Sequence, residues 1–92
     1  MEPTQFGWHE PKRQKTLSER GVDFVRMTLA FRDPGKLVWV DDRRDYGEVR
    51  YNMLAEVKGR LYHVTFTTRD DLIWIISARK ANDREQRSYG RR

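Results

Sequence analysis

The stretch VRYNMLAEVKGRLYHVTFTTRDDLIWIISARK, residues 49–80, decides the fold. Val49, Tyr51, Met53, Ala55 and Val57 alternate with mostly more polar neighbours, the period of two expected of a half-buried strand. Lys58-Gly59 follows as a two-residue hairpin turn. Beyond it Tyr62, Val64 and Phe66 share one face, and Leu61, His63, Thr65 and Thr67 share the other. Asp70-Asp71 turns the chain again into the β-branched run Leu72 to Ala78. Apolar runs joined by such short turns predict consecutive strands paired as an antiparallel meander.

Upstream, Leu37 to Val40 adds a short strand and Asp45-Tyr46-Gly47 a loop. Residues 10–20 predict a very polar helix with Pro11 in its first turn, Leu17 as its one strong apolar anchor and Gly21 as its C-cap. Asp23 opens a second helix with an apolar face from Phe24 to Phe31, closed by Asp33-Pro34-Gly35. Gln5 to Trp8 can form a further short strand. Asn82-Asp83 caps a last helix reaching Tyr89; Ala81 and Tyr89 are almost its only apolar residues, which predicts weak hydrophobic anchoring. The order predicts an α+β fold: two N-terminal helices on one face of an antiparallel β-meander sheet, then a C-terminal helix. Residues 1–92 read as a single domain with loose ends at 1–4 and 90–92.

The chain has no cysteine, so disulfides, thiolate metal sites and thiol nucleophiles are excluded. There is no apolar stretch long enough to span a bilayer and no signal-like segment near the start, so no membrane partner and a cytoplasmic location are expected. The formal net charge is +5, which favours polyanionic partners. It is lopsided: from Arg79 onward stand Arg79, Lys80, Arg84, Arg87, Arg91 and Arg92 against Asp83 and Glu85. A strand that ends in Arg79-Lys80 places positive charge on a rigid scaffold, and that points to phosphate.

No spacing matches a metal motif, a phosphate-cradling glycine loop or a Ser-His-Asp order, and no cofactor is expected. The candidate groups are Arg69, Arg79 and Lys80 near strand ends, His63 within a strand, and Tyr46, Glu48, Arg50, Glu85 and Tyr89. They suit metal-independent RNA cleavage, in which a base takes the 2′-OH proton, cations stabilise the phosphorane and an acid protonates the leaving oxygen. Plainer roles compete. Glu48 and Arg50 flank Val49 and can form a surface ion pair, Glu85 can complement a helix dipole, and His63 can simply face solvent. A non-catalytic module that grips nucleic acid or an acidic partner is the rival class.

Taken together, the ordered motifs resemble the BrnT-type toxins of bacterial type II toxin–antitoxin systems. The resemblance runs from Trp8 to Tyr89. Its pieces are Trp8-His9-Glu10-Pro11-Lys12, Glu19-Arg20-Gly21-Val22-Asp23-Phe24, Phe31-Arg32-Asp33-Pro34, Asp42 to Arg50 with Tyr46-Gly47-Glu48 inside it, Gly59-Arg60, Thr68-Arg69, Ile75 to Ala81, and Glu85 with Tyr89. The chain departs from the family pattern at His9 (usually Asp), Thr16 (usually Asn), Arg20 (usually His), Ala55-Glu56 (where a Gly usually precedes the second strand hairpin) and Gln86 (usually Arg). The resemblance implies a RelE-like fold and translation inhibition by RNA cleavage. It also implies a tight complex with a cognate antitoxin, a heterotetramer or larger that reaches operator DNA through the antitoxin. On this reading Arg79, Arg69, Glu48 and His63 are catalytic candidates; Lys80, Arg50, Tyr46, Tyr89 and Arg20 are RNA-binding candidates. The weakly anchored last helix is then a segment that an antitoxin can displace or cover.

Overall fold

Each of the two tight turns in the decisive stretch places both of its central residues at positive φ. Lys58 and Gly59 (51° and 83°) join β3 (Arg50–Val57) to β4 (Arg60–Arg69), and Asp70 and Asp71 (50° and 66°) join β4 to β5 (Leu72–Lys80). That geometry matches the right-handed twist of the flanking strands and fixes the antiparallel register. The computed structural model describes residues 5–91; the loose ends expected at residues 1–4 and Arg92 lie outside them. β2 (Leu37–Asp41) pairs antiparallel with β3 at one edge. At the other edge β1 (Gln5–Trp8) pairs parallel with β5, from Gln5↔Leu72 to Trp8↔Ile75. The sheet order is β1-β5-β4-β3-β2. The sheet is therefore mixed where the sequence predicted only an antiparallel meander, because a short strand carries no local signal of which distant edge it will join.

Helix α1 (Glu10–Arg20) has Pro11 in its first turn, and Gly21, left-handed at φ 67°, closes it by donating its N–H to the Leu17 carbonyl. The buried residue of this helix is Thr16; Leu17, expected as the anchor, is 38% exposed. Asp23 caps α2 (Phe24–Met27) by accepting the Val25 N–H, and α2 tightens at once into a 3-10 turn, Thr28–Arg32. Val22, Phe24, Met27 and Ala30 from this segment pack on Met53, Ala55, Val57, Tyr62, Val64, Phe66, Ile75 and Ala78 of the sheet. That is the main core and defines the first face.

One irregularity decides which side chains occupy the second face. Phe66 pairs with Ile75 while Thr65 pairs with Ser77, so Ile76 is left over as a β-bulge. Strict alternation would send Arg79 to the same side as Ile75, into the core. With the bulge, Ile75 and Ala78 both face the core, each 1% exposed, and Ser77 and Arg79 turn to the second face opposite Thr65 and His63.

Helix α3 (Asp83–Gly90) packs on the second face. Arg84, Glu85 and Ser88 line a groove of about 410 Å³ over Leu37, Trp39 and Leu54. Polar latches hold this helix. Asn82 and Glu85 form a reciprocal capping box. Tyr89 is buried and donates its hydroxyl to the Asp33 carboxylate, which also accepts the Glu56 and Gly35 N–H groups. The helix expected to be weakly anchored is thus tied to the end of the 3-10 turn. Tyr89→Phe should lower stability by about 1–3 kcal/mol and speed amide exchange across residues 83–90. Measured by urea titration alongside it, Leu17→Ala should stay within about 0.5 kcal/mol of wild type. An unchanged Tyr89→Phe midpoint would mean that the Tyr89–Asp33 contact does not hold the helix.

Candidate functional site

Because cross-strand partners share a face, the ladder register lists what the second face carries. His63 pairs with Arg79 and with Leu54, Thr65 with Ser77 and Asn52, and Arg69 with Leu72. Trp39 lies opposite Asn52, and Asp41 opposite Arg50. A buried polar contact crosses the middle, where the Thr65 hydroxyl donates to Asn52 Oδ1 at 2.8 Å. On either side of this strip lie two charged clusters.

The first is at the α3 end. Arg79 is gripped by Glu85 in a two-pronged contact, Nη1 to Oε1 and Nη2 to Oε2 at 2.8 Å each. The planar guanidinium fork meets a carboxylate as it would meet two oxygens of a phosphate. This pairing holds the Glu85 carboxyl below the ordinary carboxylate range. His63 lies beside them, edge-on to Trp39 with ring centroids 5.9 Å apart. Burial pushes its imidazole pKa down, Arg79 pushes it further, and Glu85 only partly offsets the two. His63 is therefore neutral near neutral pH, able to accept a proton.

The second cluster is at the opposite end. Glu48 receives Arg69 at 3.1–3.3 Å and Arg50 at 3.2 Å. Burial alone would raise its pKa, but the hydrogen bonds from Arg69 and Arg50 outweigh that and the net shift is downward. Glu48 is thus held as an anion between two guanidinium groups. Each Arg also rests on an aromatic ring: Arg50 over Tyr46 at 4.2 Å from the ring centroid, and Arg69 over Trp74 at 4.9 Å. Tyr46 is fixed in turn, its hydroxyl 3.3 Å from Asp41, a buried carboxylate that Arg43 holds well below the usual range.

The clusters share a face but not a place. Arg69 stands six positions along β4 from His63, about 20 Å at strand rise. So Arg79 with His63, and Arg69 with Glu48 and Arg50, are brought together in pairs rather than as one constellation. Lys80 pairs with Tyr62 and faces the other side from Arg79. Arg20 donates to the Ala78 carbonyl at 3.1 Å, on the part of β5 that β1 leaves uncovered. Tyr89 is buried under α3 as described. Lys12 and Trp74 also line the second cluster; their neighbours on the sheet, not their place in sequence, reveal this. Among the described residues no three His, Cys, Asp or Glu side chains gather closely enough to hold a metal ion, and no helix is long and apolar enough to cross a membrane.

Comparison with known proteins gives the chain a family. The family described as "Ribonuclease toxin, BrnT, of type II toxin-antitoxin system" matches residues 8–85 of the 92-residue chain. No curated protein sequence matches it significantly.

The depressed imidazole has a consequence for stability. Its folded pKa lies below the ordinary value of 6.5, so as pH falls the unfolded chain binds the proton first. The stability it contributes is intact above 6.5 and is lost as pH falls from there through the folded value. Glu85, depressed from 4.5, loses its contribution only at lower pH. Between about pH 7.5 and about pH 5.5, wild type should therefore lose more stability than His63→Gln, measured as the shift in urea midpoint. Equal losses would show that His63 does not carry this pH dependence.

Proposed function

This chain belongs to the BrnT ribonuclease toxins of type II toxin–antitoxin systems, and on that premise we propose that it cuts RNA on its second sheet face without a metal. The observation that carries the reading is the register pair of His63 and Arg79, on a face whose far end presents Arg50 and Arg69. Neutral His63 takes the proton from a ribose 2′-OH. The oxygen so freed attacks the adjacent phosphorus, the bond to the 5′-oxygen breaks, and that oxygen leaves with a proton from solvent. Arg79 pairs with the non-bridging oxygens as charge builds on them. Arg69 and Arg50 hold the strand further along. Glu48, already clamped as an anion, aligns those two cations and is a poorer proton acceptor than His63. Tyr46 supports Arg50 from below, and Lys80 and Arg20 add positive potential around the Arg79 end.

For Arg79 to act, the RNA phosphate must replace Glu85 on its guanidinium. The exchange swaps one anion for another on the same fork, and the displaced Glu85 keeps the Asn82 N–H of its capping box. A type II toxin is paired with a cognate antitoxin. We assign that partner to the α3-bearing face, in a heterotetramer or larger that reaches operator DNA through the antitoxin, all within the cytoplasm. RNA cleavage would then be the route by which translation stops. The occupied state of Arg79 favours one other reading: an inert toxin scaffold that persists within the repressor complex. Expression toxicity that disappears in Arg79→Ala separates the active toxin from the scaffold.

Purified wild type should degrade RNA equally well in EDTA. Arg79→Ala should be slower by roughly 10²–10³-fold, the usual cost of losing one preorganised donor to a transition-state oxyanion. Equal rates for the two proteins would contradict the role of Arg79. Inhibition by EDTA that added metal reverses would contradict the metal-free mechanism.

A further inference from the structure

Lys12, Arg50, Arg69, Trp74 and Ile76 surround a concavity of about 290 Å³ at the open end of the second face, with His9 at its rim. Its charge is not balanced. Lys12, Arg50 and Arg69 converge there, and Glu48 is the one carboxylate bridging the two guanidinium groups. Among the described residues no carboxylate forms an ion pair with Lys12. Although Lys12 is exposed overall, partial desolvation lowers the pKa of its ammonium, and repulsion from Arg20, Arg50 and Lys15 lowers it further. Like charges held together on a rigid scaffold cost stability, and a bound anion relieves that cost.

The floor is built as well as the rim. A Cβ on Gly7 would lie 2.8 Å from Trp74 Cε3 and 2.9 Å from Cζ3. Glycine there lets the indole lie against the β1 backbone, and Arg69 then rests over that ring. Gly7 thus fixes Trp74, Trp74 fixes Arg69, and Glu48 ties Arg69 to Arg50. Two planar guanidinium forks and an unpaired ammonium around one concavity suit phosphate better than a carboxylate side chain.

We propose that Lys12, Arg50 and Arg69, seated on Trp74, form a phosphate-binding subsite for the backbone of single-stranded RNA, distant from the bond that is cut. The subsite rests on the RNA-cleaving reading of the same face and adds to it a substrate length requirement. The strand must run along β4 from the His63 end to reach Lys12, so a dinucleotide cannot use this contact.

The test uses the full chain and a single-stranded DNA oligonucleotide, which lacks the 2′-OH and so binds without being cut by the proposed chemistry. Affinity is measured across a salt series for wild type, Lys12→Gln and Lys58→Gln, the last an equal charge change at the distant β3–β4 turn. Lys12→Gln should flatten the slope of log K against log salt by about 0.7, the loss of one phosphate contact to a single strand. Lys58→Gln should leave the slope at the wild-type value. On a long RNA, Lys12→Gln should raise KM and leave kcat unchanged. If Lys12→Gln matches Lys58→Gln in slope, the subsite is overturned even where RNA is cleaved; a pocket that serves an acidic protein segment would give that result. If the slope falls as expected but wild type cleaves no RNA, the subsite stands and the cleavage reading fails.

Discussion

A single extra residue in β5 sets the arrangement of everything else. The bulge at Ile76 lets Ile75 and Ala78 enter the same core and turns Arg79 outward beside His63. Without it, the guanidinium would point among Phe24, Met27 and Val64, where an unpaired charge costs several kcal/mol. With it, Arg79 can recruit Glu85, and that contact helps seat α3 on the face opposite the other helices. The bulge therefore supports both the core and the candidate site. Its position is set by burial: the core accepts Ala78 and rejects Arg79.

The cations on the second face are held before any ligand arrives. Glu48 and Glu85 align three guanidinium groups, Tyr46 and Trp74 support two of them from below, and Asp41 fixes Tyr46. Preorganisation of this kind lowers the ordering cost when a phosphate binds, but the aligning carboxylates also compete with it. The competition differs between the two ends. At the α3 end Glu85 takes both prongs of Arg79, whereas at the open end Lys12 leaves positive charge in excess. On the proposed reading, a phosphate can meet Lys12 first, before it competes with Glu48 for Arg50 and Arg69.

How much of this was legible in sequence follows from which signals are local. Alternation from Tyr51 to Val57, the Lys58-Gly59 and Asp70-Asp71 turns, Gly21 at the end of α1 and the Asp23 cap all act within a few residues, and they placed the elements. Glu48 and Arg50, two apart, pair as their spacing suggested. What depends on distant pairing was hidden. The parallel partner of β1, the Ile76 bulge and the separation of Arg69 from Arg79 become visible only in the ladder register. Hydrophobicity alone misled at Leu17, because the orientation of α1 buries Thr16 instead. Lys12 and Trp74 escaped notice as a site because one lies in a polar helix and the other in an apolar strand.

If His63 and the cations of the second face activate a ribose 2′-OH, the chemical ends of the cut RNA record it. Digestion of a defined RNA by the pure protein should leave a 2′,3′-cyclic phosphate on one fragment and a free 5′-hydroxyl on the other, because the attacking oxygen is internal to the substrate. Fragments that carry 3′-hydroxyl and 5′-phosphate ends would mean that water made the attack and that His63 does not activate the ribose.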